Sequence, residues 1–316
     1  MLKLFELIDL EFFTKDPEII FKLHRILAKR PELLDVSIRF TVQVNLFSGS
    51  IINFGHEHHL NILKTKPVGC FALTEKYAGV FSGMIVNTSF KYESNSFIFN
   101  TIENKDKKNW ISQGLTSEYC VLFAKGTYKN NKNTIFPFLI KLRDQDGSVY
   151  DTINISNMGT KSVANYLDNA EISFNNHVVS EDCIMDNFKK DNINFMDIAN
   201  RLLVGRVILA QCCLIGCKQI YDDTQIYLNN KPIPNSIYKL YNLPVIQEIF
   251  KNFYTKFDKL NAYCQKIEIQ LCNFIKNNDN HYDNKLIKKI NVAKIACTEF
   301  VCKAISDLQI NVGSVL

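Results

Sequence analysis

The feature that most constrains this chain is a double change of hydrophobic period. Apolar residues recur at helical spacing from Met1 to about Lys64, change to short or alternating runs from Pro67 to about Asp186, and return to helical spacing from Asn192 onward. A helical period does not settle as strand, nor a two-residue period as helix. The expected fold class is therefore α+β multidomain: an N-terminal helical domain (1–65), a central antiparallel, barrel-like β-domain (66–190) and an incomplete C-terminal helical bundle (191–316).

Within the first block, "TKDPEIIFKLHRILAKR" reads as a helix start, with Thr14 or Asp16 as cap and Pro17 and Glu18 in the first turn. "FTVQVNLFSGSIINFGHEHHLNILKT" reads as two more helical pieces broken near Gly49 and Gly55, although the β-branched residues of 41–44 weaken the first. In the central block the candidate strands are "SFKYE", "SFIFN", "YCVLFA", "IFPFLIKL", "TINIS" and "EISFNNHVV", separated by polar turns. No helix of crossover length separates them, which favours antiparallel pairing. "RDQDGSVYD" (143–151) lacks the closing glutamate of a calcium loop and reads as strand–turn–strand around Asp146-Gly147. In the last block, "MDIANRLLVGRVILAQCCLIGCKQIYDD" carries the first bundle helix, and two more are expected over about 244–276 and 284–308. A bundle usually has a fourth helix, which a further segment or a partner is expected to supply.

Composition narrows the classes. With 47% hydrophobic and 22% charged residues in 316, the bulk of the chain can bury a core and is not expected to be disordered. The net charge of +5 is spread out, with no basic block interleaved with aromatics, so no nucleic-acid partner is expected. The ten cysteines form no C-x-x-C pair; Cys212, Cys213 and Cys217 lie in an apolar run, where thiols act as small hydrophobes in a reducing, intracellular compartment. The start, "MLKLFELIDLEFFTKDPE", reads as an amphipathic helix rather than a signal peptide, and no membrane span is expected. His56, His58 and His59 of "GHEHH" diverge around a single helix turn, so a solvated helix end is preferred to a zinc site.

Two stretches stand out. In "VGCFALTEKYAG" (68–79) an apolar run gives way at Thr74-Glu75 to a turn ending at Gly79, a junction that can present backbone donors and a hydroxyl to a ligand. "KNWISQG" (108–114) holds the only tryptophan; on a strand Trp110 and Ser112 share a face, so a ring and a hydroxyl can meet one ligand.

Taken together these stretches resemble the acyl-CoA oxidase branch of the acyl-CoA dehydrogenase family. "GCFALTE" (69–75) resembles the family's "GCFAMTE", and "NWISQG" falls where the family has Trp-Ile. "FLIKLRDQDGSV" (138–149) and "MGTKSVANYLDNAEISF" (158–174) resemble the oxidase branch specifically. "FSGSIINFGHEHH" is similar to the oxidases' Gly-rich helix, and "LLVGRVILAQCCLIGCKQI" (202–220) to the first bundle helix. The resemblance implies an FAD-dependent enzyme that desaturates an acyl-CoA thioester between its α and β carbons. It further implies a homodimer or homotetramer, molecular oxygen or an electron-transfer flavoprotein as acceptor, and a peroxisomal or mitochondrial setting.

Carried over residue by residue, Ala72, Leu73 and Thr74 would contact the flavin, with Glu75 ordering the turn behind them. Gly79 matches the glycine of a family Gly-Ser pair whose serine is Val80 here. Trp110 would pack against the isoalloxazine, and Ser112 stands where dehydrogenases have a threonine near flavin N5 and oxidases a glycine. Gln309 resembles the glutamine that meets the adenosine end of FAD from the neighbouring subunit. The chain also departs from the pattern: Asn230 and Ile233 replace the arginine and phenylalanine that reach FAD across the dimer, and "NVGSVL" replaces a Gly-Gly-x-Gly loop. The family's catalytic glutamate normally lies beyond that loop, and relatives with the base on the first bundle helix have it where this chain has Gly205. No residue is therefore assigned as base. Two alternatives stay open, a catalytically degenerate homologue that binds FAD or acyl-CoA and a protein-interaction scaffold without flavin.

Overall fold

The computed structural model describes residues 15–78, 85–187, 202–277 and 283–312. Contacts group the chain into two compact units, one built on Ile38–Leu202 and the other on Glu11–Ser37 with Leu203–Leu316. The N-terminal helical segment is thus shared between them. Its first helix, α1 (Glu18–Ala28), belongs to the second unit.

Helix α2 (Leu34–Phe40) leads into a π-helical run over Thr41–Ser48 and then α3 (Gly49–Phe54) and α4 (Glu57–Lys64). The β-branched stretch is thus accommodated by a wider helix, which buries the amides of Gln43 and Asn45 beside Phe47. The nine strands are β1 (Gly69–Ala72), β2 (Ser89–Glu93), β3 (Ser96–Asn100), β4 (Lys108–Ser112), β5 (Tyr119–Tyr128), β6 (Asn131–Lys141), β7 (Ile153–Asn157), β8 (Asn169–Phe174) and β9 (His177–Ser180), counted among the described residues. They form a sheet ordered β1-β5-β2-β3-β9, with β6 also on β5, and a second sheet ordered β4-β8-β7.

Pairing is mostly antiparallel, as expected for hairpins, but β1 and β2 each run parallel to β5. Strand β1 enters from a helix rather than a tight turn, so no hairpin sets its direction. The core between the strands is a cluster of phenylalanines, with Phe90, Phe97, Phe99 and Phe138 meeting edge-on at 4.8–5.4 Å. The Asp146-Gly147 turn forms as expected, with Gly147 at φ 85° and the Asp144 N–H donating to Ser148 O at 2.8 Å.

In the second unit, α5 (Leu202–Asn230), α6 (Pro244–Lys276) and α7 (Asn284–Val312) follow the expected periodic stretches. A fourth helix joins them, and it is α1. Lys276 Nζ donates to Glu18 Oε1 at 2.6 Å, and a Cβ at Gly216 would sit 3.3 Å from Ala28 O, so α1 lies close along α5. Tyr221 stacks on Phe253 at 3.6 Å and donates its hydroxyl to Ala304 O at 2.8 Å, joining α5, α6 and α7. By length and composition alone α5 would pass for a membrane-crossing helix, a weak signal that the core helix of a soluble protein also gives. Within this unit it buries Leu203, Val207, Leu214 and Tyr221 together with the polar Gln211 and Thr224.

Candidate functional site

The site is built at the end of β1. Ala72 and Leu73 turn their side chains into the core, so only their backbone is available at the corner. Thr74 follows half-buried; its carbonyl accepts the Asn109 N–H at 2.9 Å, and its hydroxyl has no partner among the described residues. Glu75 then turns inward. One carboxylate oxygen accepts Lys108 Nζ and the Thr88 N–H, both at 2.9 Å, and the other accepts the Asn87 N–H at 2.7 Å. Lys108 Nζ also reaches Leu73 O at 3.3 Å. Both side chains of this ion pair are fully buried. Burial pulls the Lys108 ammonium below its ordinary pKa, and the Glu75 carboxylate opposes that pull. Asp106 extends the brace, accepting Asn87 Nδ2 at 2.9 Å through its carboxylate and the Thr88 hydroxyl at 3.2 Å through its carbonyl. Glu75 therefore orders the turn, since both its oxygens are committed to the protein.

Beside this corner β4 carries a register shift between Lys108 and Ile111. The shift holds Trp110 at φ 60°, left-handed backbone that a bulky residue adopts only under constraint. Its N–H donates to Met158 Sδ at 3.2 Å, and its indole is 56% exposed although the chain has no other tryptophan to spend. Ile111 is buried, while Trp110 is exposed and Ser112 half-buried. The Ser112 hydroxyl donates to Asn169 Oδ1 at 2.8 Å. Below, Gln113 Nε2 donates to Gly69 O at 2.8 Å while the Gly69 N–H donates to Gln43 Oε1 at 2.9 Å. Two buried glutamines thus fasten both backbone groups of the first β1 residue.

The structure brings Ala72, Leu73, Thr74, Trp110 and Ser112 together on neighbouring strands of one unit. Gly79 lies outside the described residues. Gln309 is exposed on α7 in the other unit. Asn230 donates to Ile226 O of its own helix at 2.8 Å. Two of the three GHEHH histidines are bonded through Nε2: His56 to Asp186 Oδ1 at 2.7 Å and His58 to Asp182 O at 2.8 Å, whereas His59 Nε2 is buried without a hydrogen-bond partner among the described residues. Buried His59 accepts the His56 N–H on Nδ1, and burial lowers its pKa to about 4. Lys108, Asp106, Asn169, Gln43 and Gln113 were not singled out in the sequence, where a polar residue in a strand, helix or turn carries no mark of which partner it will meet.

This arrangement of helices, curled mixed sheet and bundle is the fold of the acyl-CoA dehydrogenases and oxidases. An acyl-CoA dehydrogenase from Geobacillus kaustophilus matches with a TM-score of 0.74 at 14% identity, over 92% of this chain and 72% of that one. A glutaryl-CoA dehydrogenase from Mycobacterium smegmatis, solved in complex with FADH2, matches with a TM-score of 0.68 at 15% identity, over 88% of this chain and 65% of that one. In sequence, peroxisomal acyl-coenzyme A oxidase 3 of Arabidopsis thaliana is 27% identical over 203 residues, 58% of this chain and 30% of the oxidase. The chain therefore spans about a third of the length of such curated relatives. No protein-family model matches it. The family resemblance is borne out: the curated relatives are acyl-CoA oxidases at 23–27% identity, and the solved structures that share this fold are acyl-CoA oxidases and dehydrogenases.

Proposed function

We propose that this chain binds FAD and takes part in the α,β-desaturation of an acyl-CoA thioester, as an oxidase- or dehydrogenase-type oxidoreductase. One observation carries the reading: an exposed indole held in strained backbone beside a half-buried, unpartnered threonine hydroxyl, both braced by a buried ion pair. A flat aromatic ligand with polar edges fits that set of groups, so the residues present suit a flavin.

In this reading the backbone of Ala72 and Leu73 and the hydroxyl of Thr74 hold the polar edge of the ring. Trp110 covers it from water, and Ser112, steadied by Asn169, keeps a second hydroxyl at the same edge. The chemistry a bound flavin supplies is acceptance of a hydride from the substrate's β carbon. The brace of Glu75 and Lys108 fixes where the edge-binding groups stand, so they need not reorganise during reaction. By the resemblance alone, Gly79 is carried as a further cofactor contact and Gln309 meets the adenosine end of FAD held by a second copy, which makes a homodimer or homotetramer part of the proposal. Molecular oxygen or an electron-transfer flavoprotein accepts the electrons. No residue of this chain is assigned as the base that removes the α proton.

An absorption spectrum of the purified protein, with and without added FAD, tests this. Flavin bands that bleach on anaerobic addition of acyl-CoA are expected. Bands that do not bleach would reduce the chain to a binding homologue, and no flavin at excess FAD would overturn the reading.

A further inference from the structure

The second unit holds a feature that flavin chemistry does not use. Cys264, in the middle of α6, faces Cys297, in the middle of α7, with their sulfurs 3.5 Å apart and both residues fully buried. Both are free thiols. We propose that this pair is a peroxide-oxidisable site, at which a hydroperoxide converts the two thiols into a disulfide that clips α6 to α7.

Three observations support it. The sulfurs are already in van der Waals contact, and closing to the roughly 2 Å of a disulfide asks for small rotations of two short side chains. The two thiols share a hydrogen bond in which either sulfur can donate; it holds Cys264 below its ordinary pKa and, with burial, raises Cys297, and Cys264 is accordingly taken as the attacking thiol. Cys213 of α5 acts electrostatically on Cys297, and Cys302 of α7, an exposed thiol, acts likewise on Cys213, so further thiols stand in the same part of the unit.

The step balances. The Cys264 sulfur attacks the peroxide oxygen, breaking the O–O bond and forming a sulfenic acid with release of water from hydrogen peroxide. The Cys297 sulfur then attacks the sulfenic sulfur, forming the S–S bond and releasing a second water. Two electrons pass from the thiols to the peroxide, and both thiol protons leave in water. The site does not depend on the flavin reading and survives its failure.

The test is peptide mapping of the native full chain after treatment with hydrogen peroxide, unfolding and alkylation of the remaining thiols. A peptide pair joined through Cys264 and Cys297, released by dithiothreitol, is the expected product. Cys302→Ser should leave that crosslink in place, and Cys297→Ser should abolish it. The wild-type map alone decides the matter if a variant fails to fold. Peroxide that leaves both thiols free, pairs Cys302 with Cys213 instead, or joins Cys264 to Cys297 only in denaturant would overturn the proposal.

Discussion

Lys108 shows what a single residue does at this corner. A buried ammonium without its carboxylate, or the reverse, is far costlier than the intact pair, because neither charge can return to water. Lys108→Met should therefore lower unfolding stability by about 3–5 kcal/mol. The double change Lys108→Met with Glu75→Leu removes both charges and should recover part of that loss, although Asn87 and Thr88 lose their acceptor. Urea unfolding of both variants decides it; a double variant no better than the single would mean that the backbone bonds to Glu75 matter more than the ion pair. Gly69 tests close approach at the other end of β1. A Cβ there would fall 2.2–2.3 Å from the Phe47 ring, itself fully buried with nowhere to move. Gly69→Ala should cost about 1–3 kcal/mol, and an unchanged urea midpoint would show that the ring gives way.

At the scale of elements, helix α1 holds its place in the bundle through polar anchors as much as apolar burial. Arg25 donates to Gln211 Oε1 at 3.2 Å and to the Glu268 carboxylate, which also accepts Gln211 Nε2 at 2.6 Å. Arg25→Met strips that nearly buried carboxylate of its cation and should destabilise the protein by about 2 kcal/mol, since the guanidinium is itself partly hydrated. His24, one residue earlier, is buried and donates its Nδ1–H to Ile20 O, 2.7 Å away. Burial lowers its pKa from 6.5 to about 4, so the folded state disfavours the charged ring. The unfolded chain then takes up a proton first as pH falls, and the contribution of His24 is complete above about pH 6.5 and lost between 6.5 and 4. The loss amounts to up to about 3 kcal/mol. His59 and His177, likewise lowered to about 4 by burial, add the same sign. Urea midpoints measured across that window should rise with pH, and His24→Leu should flatten the slope without abolishing it. An unaltered slope would remove His24 from the account.

For the molecule as a whole, the sole tryptophan is also the proposed flavin platform, which makes it a reporter. Stacking of an aromatic ligand on such a ring is worth about 1–3 kcal/mol. Trp110→Leu should therefore weaken FAD binding roughly tenfold while leaving the unfolding midpoint near wild type, because the indole is largely exposed. Equal affinity in the variant would move the flavin away from this face.

Much of this molecule is legible from local pattern alone. The two changes of period place helices and strands, since a repeat of 3.6 or 2 residues decides within a few turns which faces can be buried. The same local logic puts Glu75 in a turn and Trp110 and Ser112 on one strand. What the pattern does not carry is the choice of partner. Cys70 could pair with any strand of suitable length, yet it lies parallel beside Cys120. Lys108 reads as one more solvated lysine until Glu75, 33 residues away, turns inward to meet it. Helix α1 reads as part of an N-terminal domain, yet its Arg25 reaches a carboxylate 243 residues further on. Each such pairing is settled by which distant groups can satisfy buried charge and fill space together. That balance exists only once the chain is folded, so tertiary structure decided it where periodicity, a property of neighbours in sequence, had nothing to say.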